Sequence, residues 1–275
     1  MIAVALALVA AGWLEVAAGG AADSNVSGGA GATPVVDAGS LTARIHAGAA
    51  LDPSDDDELS AEIGYSAEVF PSLHDLDLHR PSLTLAWSRF IGSRLRLRLA
   101  PFAGLRFYGD ATRNGWDGGA TATLRLRLHR RIAALAGAGY THRAASDSAF
   151  AWDSGRGKAG IDLALWPGSS LYTGYAIDFG EDVFYAATTG GTSLDAAGRG
   201  RGIGPGGSVG RGVSTFGADL VAYRSARIAH TGTVVLNQRL SRKTFVEASY
   251  AFTAVGAKYQ SYHAHGGTLE LGVRY

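Results

Sequence analysis

The chain contains no cysteine in 275 residues. Disulfides and thiolate metal sites are therefore excluded, as is lipid attachment through an N-terminal cysteine. Proline is scarce, at 7, so the 39 glycines do not form a disordered Pro/Gly tract. No long uninterrupted apolar run occurs after residue 22, which argues against a helical membrane span there. Net charge is nearly missing too: 25 Lys and Arg face 24 Asp and Glu, leaving +1, whereas a general nucleic-acid binder needs a broad basic field. There is no G-x-S-x-G, no H-E-x-x-H and no Walker motif, and nothing in the sequence asks for a cofactor.

What the chain does have is 47% hydrophobic residues arranged with a period of two. RLRLRL at 94–99 places Leu95, Leu97 and Leu99 on one face and Arg94, Arg96 and Arg98 on the other. LRLRL at 124–128 sets Leu124, Leu126 and Leu128 against Arg125 and Arg127. A strand sends successive side chains to opposite faces, whereas a helix would scatter these charges around its circumference. The same alternation runs through Ile63, Tyr65, Ala67 and Val69, through Ile161, Leu163 and Leu165, and through Val246, Ala248, Tyr250 and Phe252. Segments of about ten residues alternating this way, separated by turn residues, predict a transmembrane, up-and-down antiparallel β-barrel of about 12 strands, with 10–14 as the range.

The connections alternate in length. Short ones are 91–93, 129–131, 167–170 and 241–243, and longer polar ones are 108–119, 143–157 and 257–267. Residues 1–22 pair an apolar stretch from Ile2 to Leu14 with small residues up to Ala18 and Ala22, the pattern of a secretory signal peptide, though no basic residue precedes it. Residues 23–60 are expected to be an N-terminal periplasmic segment or first strand, and 61–275 the barrel. Parity of up and down strands asks for an extra strand near 183–190. Trp87, Tyr108, Trp116, Trp152, Trp166 and Tyr250 fall near strand ends, where an interfacial aromatic girdle sits.

The chain ends TLELGVRY, in which Leu269, Leu271, Val273 and Tyr275 alternate with Glu270, Gly272 and Arg274. This resembles the C-terminal assembly signal of bacterial outer-membrane proteins, an amphipathic last strand closed by an aromatic residue. The resemblance implies a Gram-negative outer-membrane location, a surrounding of lipid and lipopolysaccharide, and recognition by the barrel-assembly machinery. It gives a class that includes porins, enzymes and anchors, so function has to be argued from the site.

With the leucines facing lipid, the other faces line the lumen. Arg94, Arg96, Arg98, Arg125 and Arg127 then form a basic wall, and Asp162, Asp178, Asp219, Glu247 and Glu270 are inward carboxylates from other strands. Such an arrangement predicts either a channel with a transverse field that favours small anions, or a barrel plugged by pairing of those charges. A third reading is a loop-sited lipase or protease built from His142, His263 or His265 with Ser146, Asp147, Ser148 or Ser261. The acidic run Asp52, Asp55, Asp56, Asp57 and Glu58 lacks the calcium-loop spacing, and Asp75, Asp77 and His79 would share a face only if 73–79 were a strand. Neither is expected to hold a metal.

Overall fold

A sheet with one apolar and one charged face has to hide its two edges as well as its faces, and the chain does so by closing on itself. The computed structural model describes residues 11–25, 36–187, 209–213, 220–257 and 261–275. Within these lie thirteen antiparallel strands: β1 (Ala11–Asp23), β2 (Ala38–Ser54), β3 (Asp57–Val69), β4 (Leu78–Ile91), β5 (Leu95–Tyr108), β6 (Gly115–His129), β7 (Ile132–Ala145), β8 (Trp152–Ala164), β9 (Ser169–Ala187), β10 (Val209–Val213), β11 (Leu220–Arg239), β12 (Thr244–Ala257) and β13 (Ser261–Arg274). Each pairs with the next, β13 pairs with β1, and β9 pairs with β11 directly, so twelve strands make a closed ring. The short β10 pairs only with β11, outside that ring.

The alternation runs as the sequence predicts. Leu99, Leu124, Leu126, Leu128, Leu269 and Leu271 all face outward and are exposed. Between them, Arg96, Arg98 and Glu270 turn inward and are partly shielded. The glycine content has a packing role: Trp13, Phe179 and Phe245 each lie over the glycine directly across the strand pair, Gly48, Gly155 and Gly272. A Cβ on Gly155 would come within 2.3 Å of the Phe179 ring. Gly92 and Gly168, with φ of 59° and 83°, occupy the tight β4–β5 and β8–β9 turns, where other residues would be strained.

The β2–β3, β4–β5, β6–β7, β8–β9 and β11–β12 connections lie at one end with the first residue of β1 and the last of β13. The longer ones lie at the opposite end, where three 3₁₀ turns (His74–Leu76, Ala111–Arg113 and Ser148–Phe150) cap the gaps. Four outward tyrosines toward this end meet a histidine: Tyr65 and His79 (2.7 Å), Tyr140 and His142 through Asp153 (2.5 and 2.8 Å), Tyr175 and His230, and Tyr250 and His265 (2.6 Å).

Several expectations need correction. Residues 11–22, read as part of a signal peptide, lie in β1, hydrogen-bonded on both sides in an unbroken register with β2 and β13. The segment 23–60, expected as a periplasmic segment or first strand, supplies β2 and the start of β3, so among the described residues the ring includes strands ahead of residue 61. No extra strand is needed near 183–190, because β9 runs to Ala187 and β11 is one 20-residue strand. The connections at 108–119, 143–157 and 257–267 are shorter than expected, with β6 starting at Gly115, β8 at Trp152 and β13 at Ser261. Trp152 and Tyr108 line the lumen and do not join a girdle, whereas Trp116 is exposed on the outside and Trp166 is exposed in the β8–β9 turn.

These faces make a stability prediction. In lipid vesicles, Val234→Arg, on the outer face of β11, is expected to cost about 2–4 kcal/mol in a urea titration. The adjacent inward change Thr233→Arg is expected to cost less than about 1 kcal/mol, because the lumen can solvate it.

Candidate functional site

The lumen is where the sequence concentrates charge, and the strand order decides which charges meet. In a ring of twelve, β5–β8 stand opposite β12, β13, β1 and β2. The β5–β8 side carries Arg96, Arg98, Arg106, Arg125, Arg127, Arg143, Arg156 and Lys158 on inward positions. The opposite side carries Glu15, Glu247 and Glu270, which converge on Arg44 at 3.6, 3.7 and 3.0 Å. Thr42 also donates to Glu270 (3.3 Å), and Arg274 donates from its Nε to Glu15 at 2.8 Å.

Register puts Arg96 directly across from Arg125. Like charges facing one another across a strand pair are destabilising. Each is balanced from its far side: Arg96 donates to Glu58 (2.7 Å) and Ser88 (2.9 Å), and Arg125 lies 3.4 Å from Asp162. Among the described residues, no carboxylate lies within 4.0 Å of Arg98, Arg127 or Lys158. Arg94 precedes β5 and is exposed at the short-turn mouth. That mouth opens into a cavity of about 790 Å³ lined by Arg94, Arg125, Arg127, Arg130 and Arg131, with Asp162 beside them.

The predicted carboxylates divide. Glu247 and Glu270 stand across the ring from the basic wall and share Arg44. Asp162 and Asp178 do not: they sit on β8 and β9 and answer Arg125 and Arg156 (3.6 Å), so they belong to the basic side. Asp219 lies outside the described residues. Sequence reasoning missed Glu15, hidden in an apolar run, and Arg44, in a segment read as a periplasmic segment or first strand. The signal was present, because Leu14, Val16 and Ala18 alternate with Glu15 and Ala17.

The acidic run at 52–58 is the β2–β3 hairpin; Asp57 accepts from the Trp87 indole (3.0 Å) and Glu58 serves Arg96. Residues 74–76 form a 3₁₀ turn and not a strand, Asp77 caps the Phe70 amide (2.7 Å), and His79 faces outward on β4. No group of three or more potential metal ligands occurs among the described residues. The loop serines and histidines are not brought together: Ser146 donates to the Asn114 carbonyl (3.1 Å), Asp147 caps a 3₁₀ turn, and His142 meets Asp153 and Tyr140.

No protein-family model and no curated protein matches the chain. Solved structures do. An outer membrane channel from Pseudomonas putida superposes with a TM-score of 0.61 at 10% identity, over 96% of this chain and 95% of that one. A NanC porin superposes with a TM-score of 0.51 at 8% identity, over 94% and 98%. The fold is that of the bacterial outer-membrane β-barrels. At such identities the likeness speaks for the fold, and what this barrel does has to come from its own lumen.

The Arg44 cluster makes a direct test of how that lumen is held. Arg44→Met is expected to destabilise the barrel by about 1–3 kcal/mol, because three carboxylates lose a shared cation. Adding Glu270→Gln to it should recover part of that loss, read as a coupling energy from urea unfolding of both single variants and the double variant.

Proposed function

We propose that the protein is an outer-membrane channel for small solutes with a preference for anions. One observation carries this reading: arginines on β5–β8 face a carboxylate cluster on β12, β13 and β1 across a closed ring. Opposed walls of unlike charge set up a transverse field that orders dipolar and charged solutes. The cationic side prevails at the short-turn mouth, where Arg94, Arg127, Arg130 and Arg131 greatly exceed Asp162. The preference for anions follows from that excess.

The fold and the amphipathic β13 support the rest of the reading. Outward Leu269, Leu271, Val273 and Tyr275 would meet the barrel-assembly machinery before β13 pairs with β1, and afterwards lipid. An unpaired amphipathic strand is able to add to another sheet edge, which is what such recognition requires. Lipid and lipopolysaccharide would then surround the Tyr–His pairs of the outer end.

A second reading has its own observation. At the long-loop end Phe184 and Arg106 are each 1% exposed and Tyr185 is buried, so side chains fill much of that end. A barrel shut there would serve as an anchor whose loops bind a partner.

Planar-bilayer recording of the purified protein separates the two. The channel reading expects discrete conductance steps, with a reversal potential in a salt gradient that favours the anion. Replacing Arg98, Arg125 and Arg127 together by Glu should reverse its sign. Silent bilayers would favour the anchor, and an unchanged sign would remove these arginines as the selectivity element.

A further inference from the structure

At the long-loop end Arg106 is withdrawn from water and Arg143 is half-buried, and among the described residues neither has a carboxylate within 4.0 Å. They line a cavity of about 370 Å³ that spans the ring, with Arg106, Tyr108 and Arg143 on one side and Thr253, Tyr262 and Ala264 on the other. Arg106 is 1% exposed; it donates to the Ala144 carbonyl at 2.6 Å, and its Nε has no hydrogen-bond partner. The Arg143 Nε is likewise buried and without a hydrogen-bond partner, and its guanidinium lies over the Trp152 ring, 4.5 Å from the centroid.

Two carboxylates, Asp23 and Asp182, line the same cavity, and the Asp117 Oδ1 near Arg106 is buried without a hydrogen-bond partner, but the nearby carboxylates sit closer to other groups. Asp117 is held by Arg80 at 2.7 Å, and Asp110 sits 3.5 Å from Arg113. Asp182 is held by Arg227 (2.8 Å) and the Val183 amide (2.8 Å). Asp23 accepts from the Asn25 amide at 2.7 Å. Among the described residues, no ion pair within 4.0 Å includes Arg106 or Arg143.

Burying cations costs free energy unless an anion joins them. The planar guanidinium fork matches a carboxylate, whose two oxygens accept two parallel N–H donors. Beside Arg113, Asp23 and Asp182, the lining includes Tyr108, Phe150, Trp152 and Tyr262, whose rings suit the face of a ring. We infer that this cavity binds a small cyclic carboxylate, its carboxylate taken by Arg106 and Arg143 and its ring lodged among Tyr108, Phe150 and Tyr262. The site deepens the channel reading, on which it rests for the solute's access, but binding itself needs no flow.

Titration calorimetry on the folded barrel in detergent tests it, with benzoate, acetate and benzyl alcohol as probes. Benzoate should bind saturably, with acetate (no ring) and benzyl alcohol (no charge) each weaker by about tenfold or more. Arg106→Gln and Arg143→Gln should each weaken benzoate by about tenfold or more. Should Arg106→Gln fail to fold, as judged by heat-shifted gel migration, Arg143→Gln and Tyr262→Leu carry the test. Tyr262→Leu should lose most of the preference for benzoate over acetate. Benzoate no tighter than benzyl alcohol, or indifferent to Arg143→Gln, would overturn the site. Saturable benzoate binding with silent bilayers keeps the site and removes the channel; conductance without benzoate binding does the reverse.

Discussion

The constraint on which the rest depends is that a sheet bounded by lipid leaves no backbone N–H or C=O without a partner. Closure satisfies it at two seams. One joins the ends of the chain, β1 to β13, through nine aligned residue pairs from Glu15 and Arg274 to Asp23 and Gly266. The other joins β9 to β11 over nineteen pairs, from Leu220 and Ala187 to Gln238 and Ser169. The first seam makes Glu15 a lumen residue and brings it within reach of Arg274 and Arg44. Without β1, β13 and β2 would each present a bare edge, so the electrostatics of the acidic wall and the closure of the sheet are one fact.

Charge segregation follows from ring order as much as from composition. A nearly neutral chain can still be polar across its width if its cations and anions are grouped by strand. Here β5–β8 take the arginines, and the strands half a turn away take Glu15, Glu247 and Glu270. Each wall is then stabilised by minority charges of the other sign: Arg44 among glutamates, and Asp162 and Asp178 among arginines. These minority charges relieve repulsion such as that between Arg96 and Arg125 without cancelling the field. A lumen with all charges paired locally would have no such field, and Arg98, Arg127 and Lys158, with Arg106 and Arg143 nearer the long loops, are among the residues that prevent that cancellation.

The barrel was legible in the sequence where strands cross the hydrocarbon, and illegible where they leave it. Leu95, Leu97 and Leu99 or Leu124, Leu126 and Leu128 announce an outward face because lipid demands apolar groups there. Toward the long-loop end the outward positions become Trp116, His142, Asp153, His230, His263 and His265. Pairing continues, yet hydrophobic alternation fades, so 143–157 and 257–267 looked like loops and β11 looked broken. The basic wall could be read because its arginines are adjacent in sequence. The Glu15–Arg44–Glu247–Glu270 cluster could not, since its members meet only when the two ends of the chain do. Likewise Arg106 and Arg143 gave no sign of sharing a cavity, because β6 lies between their strands.

The two ends of the lumen ask different things of their arginines. At the short-turn mouth Arg94 and Arg127 stand in a wide, wet cavity of about 790 Å³, where water screens them and they act as a diffuse attractor. At the far end Arg106 is buried beside Arg143 in a space about half that size, among aromatic rings. The same charge is worth more there because there is less water to screen it. A solute drawn by the first group gains little by staying, whereas one that reaches the second must replace hydration with fork geometry and ring contacts. On the channel reading, selectivity for a shape, as opposed to a sign, would therefore belong to the narrow end. Arg106, one of the side chains that make that end look closed, is also one equipped to hold an anion.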